Sequence, residues 1–165
     1  MEQIHKYKIV DKFFTKTQCE RLIQLFQGEE TEIGDDKYGR FDFTHSHLAT
    51  FIEKKLQIHE ETNEFMKNEK FQVNDKFYMN KYWPNSSFIG NHIDGTMHFG
   101  KFTTFWSIII YLNDAYGGDL IVNNDTHVEA KEGRLVLLDQ NTLHKGDKVQ
   151  TGFKYMIRTD LIREK

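Results

Sequence analysis

Cysteine and proline are almost missing from this chain: Cys19 and Pro84 are the only ones among 165 residues. A single thiol excludes an internal disulfide and a thiolate zinc cluster, and it fits a protein of a reducing compartment. One proline leaves no room for a proline-rich linker. Long apolar runs are missing too. Nothing approaches the roughly 18 apolar residues of a membrane-crossing helix, and the start, MEQIHKYKIV, lacks the apolar stretch of a secretion signal. The expectation is a cytoplasmic protein with no membrane partner. Neither charge sign dominates, with 22 Lys and Arg against 25 Asp and Glu and a net charge of −3. That balance gives no field to draw the chain onto nucleic acid, and no basic aromatic stripe is present, so a nucleic-acid partner is disfavoured.

What the chain does have is 14% aromatic and 28% charged residues, with Phe the commonest aromatic, a soluble globular composition. Its length suits one domain over residues 1–165, helical over about 1–70 and β-rich over about 71–163. Thr17 and Glu20 have capping-box spacing, and Cys19, Leu22, Ile23 and Phe26 follow as one apolar stripe. The stretch GEETEIGDDKYGRFDF, residues 28–43, reads as a loop. Its acidic part, 28–37, is expected to be solvated, and Tyr38 to Phe43 are candidates for a lid. A second helix is predicted over 46–67, with Leu48, Phe51, Ile52 and Leu56 inward; His45 and His47 stand before it as capping or solvent-exposed residues. From residue 71 the pattern changes to short runs rich in β-branched and aromatic residues: FQVNDKFYMNKYW, FTTFWSIIIYL, DLIV, RLVLL and FKYMIRTDLI. Turn signals such as NDAYGGD, KEG and KGD separate them. Helices first and strands afterwards argue for an α+β domain. The strands are expected to close into a sandwich or barrel, with the helices on the outside of one sheet.

The stretch NHIDGTMHFG carries a histidine and an aspartate two apart, His92 and Asp94, which share a face if the segment is a strand. Two ligands do not hold a catalytic metal, and a second histidine is required. His98, six residues on, reads as a loop residue; His127 begins HVEA, mid-sheet or at an edge; His144 follows the apolar strand RLVLL, where a barrel mouth would expose it. Two histidines and a carboxylate make the facial triad of non-haem Fe(II) oxygenases, with three octahedral positions open. Lys154 stands ten residues after His144.

With His-x-Asp, the hairpin YLNDAYGG, the later His144 and then Lys154 in order, the sequence resembles the Fe(II)/2-oxoglutarate-dependent dioxygenases, within them the prolyl 4-hydroxylase-like branch. The likeness covers nearly the whole chain. KIVDKFFTKTQCERLI resembles that family's N-terminal strand and helix, NDKFYMNKYWPNSSFIGNHIDG its first core strands, and GRLVLLDQNTLHKGDKVQTGFKYMIRTDL its C-terminal signature. The resemblance implies a double-stranded β-helix (jelly-roll) core with N-terminal helices packed on one sheet. It implies iron held by His92, Asp94 and His144, the catalytic and metal-binding set. It also implies 2-oxoglutarate chelating that iron through its C1 carboxylate and C2 ketone, O2 as co-reactant, and ascorbate as a candidate reductant. The far carboxylate then needs a cation, for which Lys154 is the candidate because a buried ammonium is tolerated only when paired. Tyr111 and Tyr82 resemble the family's cosubstrate-lining tyrosines.

Arg158 shares a face with Lys154 but lies about 13 Å further along a strand at about 3.3 Å per residue. That exceeds the length of 2-oxoglutarate, which puts Arg158 beyond the cosubstrate, near the iron and the substrate, to orient the C1 carboxylate or grip a substrate carbonyl; the bland alternative is an ion pair with Asp160 or Glu164. The turn WPNSS replaces a glycine that many relatives carry after the tyrosine at Tyr82. The implied activity is hydroxylation of an unactivated C–H bond, with a prolyl residue of a peptide or protein as favoured substrate. The rivals are a hydroxylase of a free amino acid or small metabolite, an oxidative nucleic-acid demethylase, and a non-catalytic β-barrel binding module.

Overall fold

The computed structural model describes residues 7–29, 31–33, 38–84 and 89–165. The first part interleaves strands β1 (Tyr7–Val10), β2 (Thr31–Ile33) and β3 (Tyr38–Thr44) with helices α1 (Lys16–Phe26), α2 (Ser46–Ile58) and α3 (Glu60–Met66). The rest is strand and turn: β4 (Gln72–Val73), β5 (Lys76–Tyr82), β6 (His98–Phe99), β7 (Phe102–Tyr111), β8 (Tyr116–Gly117), β9 (Leu120–Val122), β10 (Thr126–Val128), β11 (Leu135–Asp139), β12 (His144–Gly146), β13 (Val149–Thr151) and β14 (Lys154–Glu164). The major sheet runs β1-β11-β7-β14-β5-β3-β2, all antiparallel. Facing it are a small sheet, β10-β9-β12, and the pair β13-β8. This is an α+β fold with a double-stranded β-helix core.

Two-residue alternation along the major sheet decides which side chains meet what. On β7, Ile108 and Ile110 turn to one face, where they join Leu135, Leu137 and Ile157 with Phe13, Phe14, Cys19, Ile52 and Leu56 from the helical side. Ile109 and Tyr111 turn to the other face. There, with Val136, Leu138, Met156 and Tyr82, they pack against Leu120, Val122, Val128 and Val149 of the smaller sheets. Because both faces are covered, the strand reads as an unbroken apolar run, IIIY, instead of an alternation.

Helix α1 begins two residues earlier than the Thr17/Glu20 spacing predicts. Thr15 is the N-cap, and the reciprocal bonds are Gln18 N to Thr15 Oγ1 (3.2 Å) and Thr15 N to Gln18 Oε1 (2.9 Å). Glutamine completes the box as well as glutamate does. The predicted helix over 46–67 is two helices. His59 closes α2 in an extended conformation, and the Thr62 hydroxyl takes the Leu56 carbonyl (2.7 Å) while Asn63 Nδ2 takes that of Gln57 (2.6 Å). Side chains thereby satisfy carbonyls at the end of α2 and let the chain turn. Ile52 and Leu56 are fully buried, but Phe51 is 39% exposed. It lies over Phe14 at 6.0 Å, at the edge of the core. His45 caps α2, its Nδ1 accepting from Leu48 N at 3.0 Å.

The stretch 28–43 is not a plain loop with a lid, although residues 30 and 34–37 lie outside the described set. Residues 38–44 are a strand of the major sheet, paired residue by residue with β5. Phe43 stacks on Phe26 (4.1 Å) and Phe77 (5.3 Å); Tyr38, Arg40 and Asp42 alternate with the phenylalanines. The charge and glycine content of the segment masked a period-two pattern.

The KEG turn before β11 meets the helical layer at Gly133. Its φ is +76°, and a Cβ there would stand 2.2 Å from the Phe14 carbonyl oxygen. Phe14 N donates to Gly133 O at 3.1 Å, so the turn cannot slide away. Gly133→Ala is expected to lower unfolding free energy by about 3 kcal/mol or more, from strain and a backbone clash; urea unfolding measures it, and a loss under about 0.5 kcal/mol would contradict this packing.

Candidate metal centre and its cavities

His92 and His144 are brought together by main chain. The two residues exchange both backbone hydrogen bonds, His92 N to His144 O and His144 N to His92 O, each 2.9 Å. His144 is in β12, but His92 and Asp94 are not on a regular strand: His92 makes an isolated bridge and Asp94 stands in an irregular segment. That differs from the strand expected for His-x-Asp. The segment is held after Asp94 by Gly95 N, which donates to the Gln140 carbonyl at 2.9 Å.

The ring centroids of His92 and His144 lie 4.2 Å apart, and the Asp94 Oδ1 atom is 3.5 Å from His92 Nε2 and 3.6 Å from His144 Nε2. One potential ligand atom from each residue lies within 4.8 Å of the others. The remaining polar atoms settle what these atoms are. His92 Nδ1 is 2.8 Å from the Gly90 carbonyl and His144 Nδ1 is 2.9 Å from the Thr142 carbonyl. A carbonyl only accepts, so each Nδ1 carries the proton and each Nε2 presents a lone pair. With both rings neutral, two lone pairs and a carboxylate oxygen therefore converge with no donor among the three atoms. Such a donor set fits a divalent cation, and the outer hydrogen bonds that orient metal-bound histidines are already in place.

Electrostatics follow from burial and neighbours. Burial of Asp94 opposes its charge, but the contact with His92, the Arg158 guanidinium and the Ser107 hydroxyl outweigh it and hold the carboxyl well below the usual range. His92 is raised, chiefly by Asp94, and the more buried His144 is lowered, chiefly by burial. The other two histidine candidates lie elsewhere. His98 is exposed on β6, and His127 is exposed on the outer strand β10, its Nδ1 3.3 Å from Asp119.

Beside the triad, a cavity is lined by His92, His144, Tyr82, Tyr111, Lys154 and Arg158 together with apolar side chains. Lys154, 4% exposed, faces Tyr82 across the β14–β5 ladder, its Nζ 4.5 Å from the ring centroid. Nζ donates to the Gly118 carbonyl at 2.7 Å and has no carboxylate in contact among the described residues. Burial pushes this ammonium down to about 8, against smaller opposing effects of Asp119 and Asp147. Burial also raises Tyr82 and Tyr111.

The YLN and GG pieces of the hairpin have local reasons. Asn113 Nδ2 donates to the Phe153 carbonyl (2.6 Å) and its Oδ1 accepts from Tyr155 N (2.8 Å), clamping the chain on both sides of Lys154. Gly118 has φ +74°, and a Cβ there would come within 2.9 Å of Val149 and 3.3 Å of the Lys154 side chain.

Arg158 is at the triad end of the cavity. Its NH2 is 3.0 Å from Asp94 Oδ2, so its partner is neither Asp160, which accepts from Gln140 at 2.9 Å, nor Glu164, which pairs with Lys101. A second, polar cleft of about 730 Å³ opens on the other side of Arg158 and Asp94, walled by Arg40, Tyr78, Asn80, Gln140 and Asp160 among others. Arg40 is bound to Asp42 at 2.6 and 3.0 Å and lies over the Tyr78 ring. Sequence reasoning missed Ser107, whose Oγ donates to Asp94 Oδ2 at 2.6 Å. The available signal was a lone hydroxyl at the same parity as Ile109 and Tyr111 in FWSIIIY. It also missed Asn80, whose Nδ2 donates to the Tyr82 hydroxyl at 3.1 Å. The WPNSS rim lies, from Asn85 to Ser87, outside the described residues.

No helix among the described residues is long and apolar enough to cross a membrane. No family model and no curated protein matches the chain. Solved structures do. The viral collagen prolyl hydroxylase of Paramecium Bursaria Chlorella virus-1, in its 2OG complex, is 19% identical over 98% of each chain, with a TM-score of 0.71. A prolyl hydroxylase of Trichoplax adhaerens, in complex with a hypoxia inducible factor peptide fragment, is 14% identical over 96% of this chain and 84% of that one, TM-score 0.64. The non-heme alpha ketoglutarate dependent epimerase SnoN from nogalamycin biosynthesis is 12% identical over 96% and 78%, TM-score 0.64. At such identities the likeness establishes the fold, and that fold is the double-stranded β-helix of the 2-oxoglutarate and Fe(II) oxygenases, prolyl hydroxylases among them.

Proposed function

We propose that the chain is an Fe(II)- and 2-oxoglutarate-dependent dioxygenase that hydroxylates an unactivated C–H bond, with a prolyl residue in a peptide or protein as substrate. The observation that carries this reading is the convergence of three lone-pair acceptors, His92, Asp94 and His144, beside a cavity whose far end holds a buried ammonium without a carboxylate partner. Fe(II) held by the triad, with 2-oxoglutarate bound, would supply oxidation of a C–H bond by O2, one oxygen atom entering the substrate and the other the succinate formed with CO2 from the cosubstrate. The chain's own residues supply the setting. Lys154 neutralises the cosubstrate's far carboxylate in a site that would otherwise leave one charge buried alone. Asn80 donates to the Tyr82 hydroxyl, so that hydroxyl has its own proton to offer to the cosubstrate. Apolar walls, Ile109, Leu120 and Met156, exclude water around it.

The polar cleft favours an amide-rich, uncharged substrate over the rivals. Both of its arginines already carry carboxylate partners, Arg40 on Asp42 and Arg158 on Asp94. Among the described residues that leaves no cation surplus for a phosphodiester backbone, and none for the carboxylate of a free amino acid. A peptide complex of a prolyl hydroxylase with this fold points the same way.

Mixing the protein anaerobically with Fe(II) and 2-oxoglutarate is expected to give a weak visible charge-transfer band, absent from His92→Ala; a band of equal intensity in that variant would remove the triad from the account. Lys154→Ala should raise the Kd for 2-oxoglutarate by about one to two orders of magnitude, the range expected on losing a charge-assisted hydrogen bond. In the wild type that Kd should rise as pH increases through about 8, where the buried ammonium loses its proton. Stability should move the opposite way, increasing between about 8 and the ordinary 10.5, because the unfolded chain binds that proton more tightly. A flat pH profile of Kd between 7 and 10 would exclude Lys154 as the anchor. Substrate is tested by succinate release with and without ascorbate, supplying proline-rich peptides, free amino acids or methylated oligonucleotides separately; release driven only by peptides is expected, and release driven only by oligonucleotides would overturn the prolyl assignment.

A further inference from the structure

Asp94 has two oxygens, and only one of them faces the histidines. Oδ1 stands 3.5 and 3.6 Å from the two Nε2 atoms. Oδ2 accepts from Ser107 Oγ at 2.6 Å and meets Arg158 NH2 at 3.0 Å. We propose that Ser107 and Arg158 are positioning residues that restrict Asp94 to binding the metal through Oδ1 alone. This rests on the triad being a metal centre.

The two donors come from neighbouring strands whose register is fixed. Ser107 on β7 is fully buried and lies opposite Leu138 of β11 and Asp160 of β14. Arg158 lies opposite Ile109 on the same β7 strand. With one donor on each, the carboxylate can neither translate nor rotate without breaking a charge-assisted bond. A carboxylate released from them is free to turn and chelate with both oxygens, which would consume a position that the facial triad leaves open. Arg158 Nε supports the assignment, because it is buried without a partner. A guanidinium accepts that cost where its other end has a strong contact, and here that contact is Asp94. Arg158 therefore acts on the metal through Asp94, not on the substrate through a free fork. Ser107 acts on it in the same way.

Co(II) titration without O2 and without cosubstrate separates these roles, followed by calorimetry and by the visible d–d bands. Ser107→Ala and Arg158→Ala should each weaken Co(II) binding by about tenfold or more, the usual effect of losing a residue that orients a ligand. Both should alter the band shape while far-ultraviolet circular dichroism stays unchanged. Removing a positive charge beside a dication by itself tightens metal binding, so weaker binding in Arg158→Ala can only reflect lost orientation. Arg158→Lys, which keeps a donor, should recover part of the affinity. Should Ser107→Ala fail to fold, the Arg158 variants carry the test. If wild type binds Co(II) and both variants bind it as tightly with the same spectrum, while the 2-oxoglutarate Kd at saturating Co(II) rises in Arg158→Ala, Arg158 is a ligand anchor and the proposal is overturned. If wild type takes no Co(II), the metal-centre reading fails first and takes this inference with it.

Discussion

Three acceptors aimed at one another inside a protein repel unless something positive stands between them. His92, Asp94 and His144 are in that position, and each imidazole has its other nitrogen committed to a backbone carbonyl. The free protein offsets part of the repulsion with the Arg158 guanidinium and the Ser107 hydroxyl on the outer carboxylate oxygen. Those contacts neutralise Asp94 from behind and leave its front oxygen open. A site built like this gives up stability in the chain alone in exchange for a place that fits a dication.

The remainder of the fold serves to keep two charges apart at a set spacing. Lys154 and Arg158 point from the same face of one strand, four residues apart, and the cavity between them is walled by apolar residues of both sheets. Their separation is fixed by strand geometry and cannot drift. The Asn113 clamp and the close approach of Gly118 hold the Lys154 end; the mutual hydrogen bonds of His92 and His144 hold the triad end. The polar cleft beyond Arg158 adds a surface whose charges are internally balanced, which suits a partner recognised by hydrogen bonds more than by charge.

Much of this was legible in the chain because strand periodicity carries it. The β-branched runs after residue 71 mark the strands, and the order His92, Asp94, His144, Lys154 marks the triad and the buried cation of the cavity beside it. Other features depended on distant partners that local pattern does not encode. Phe41 and Phe43 carry the alternation of a strand, but glycine and charge around them read as loop until Phe26 and Phe77 are in place to receive them. His92 and Asp94 need no strand between them, since pairing with residue 144 does the positioning. Thr62 and Asn63 look like ordinary helix residues, and their bonds to the Leu56 and Gln57 carbonyls help explain why the helix ends. Ser107 and the true partner of Arg158 are tertiary facts: a lone serine in an apolar strand signals that a polar group faces it, without saying which.

The most direct test of the account is a crystal structure of the protein grown without O2 in the presence of Mn(II) and 2-oxoglutarate, with anomalous diffraction to locate manganese. One manganese ion is predicted, bound by His92 Nε2, Asp94 Oδ1 and His144 Nε2, with the cosubstrate's far carboxylate on Lys154. Manganese at another site, or well-ordered crystals with none on these three side chains, would contradict it.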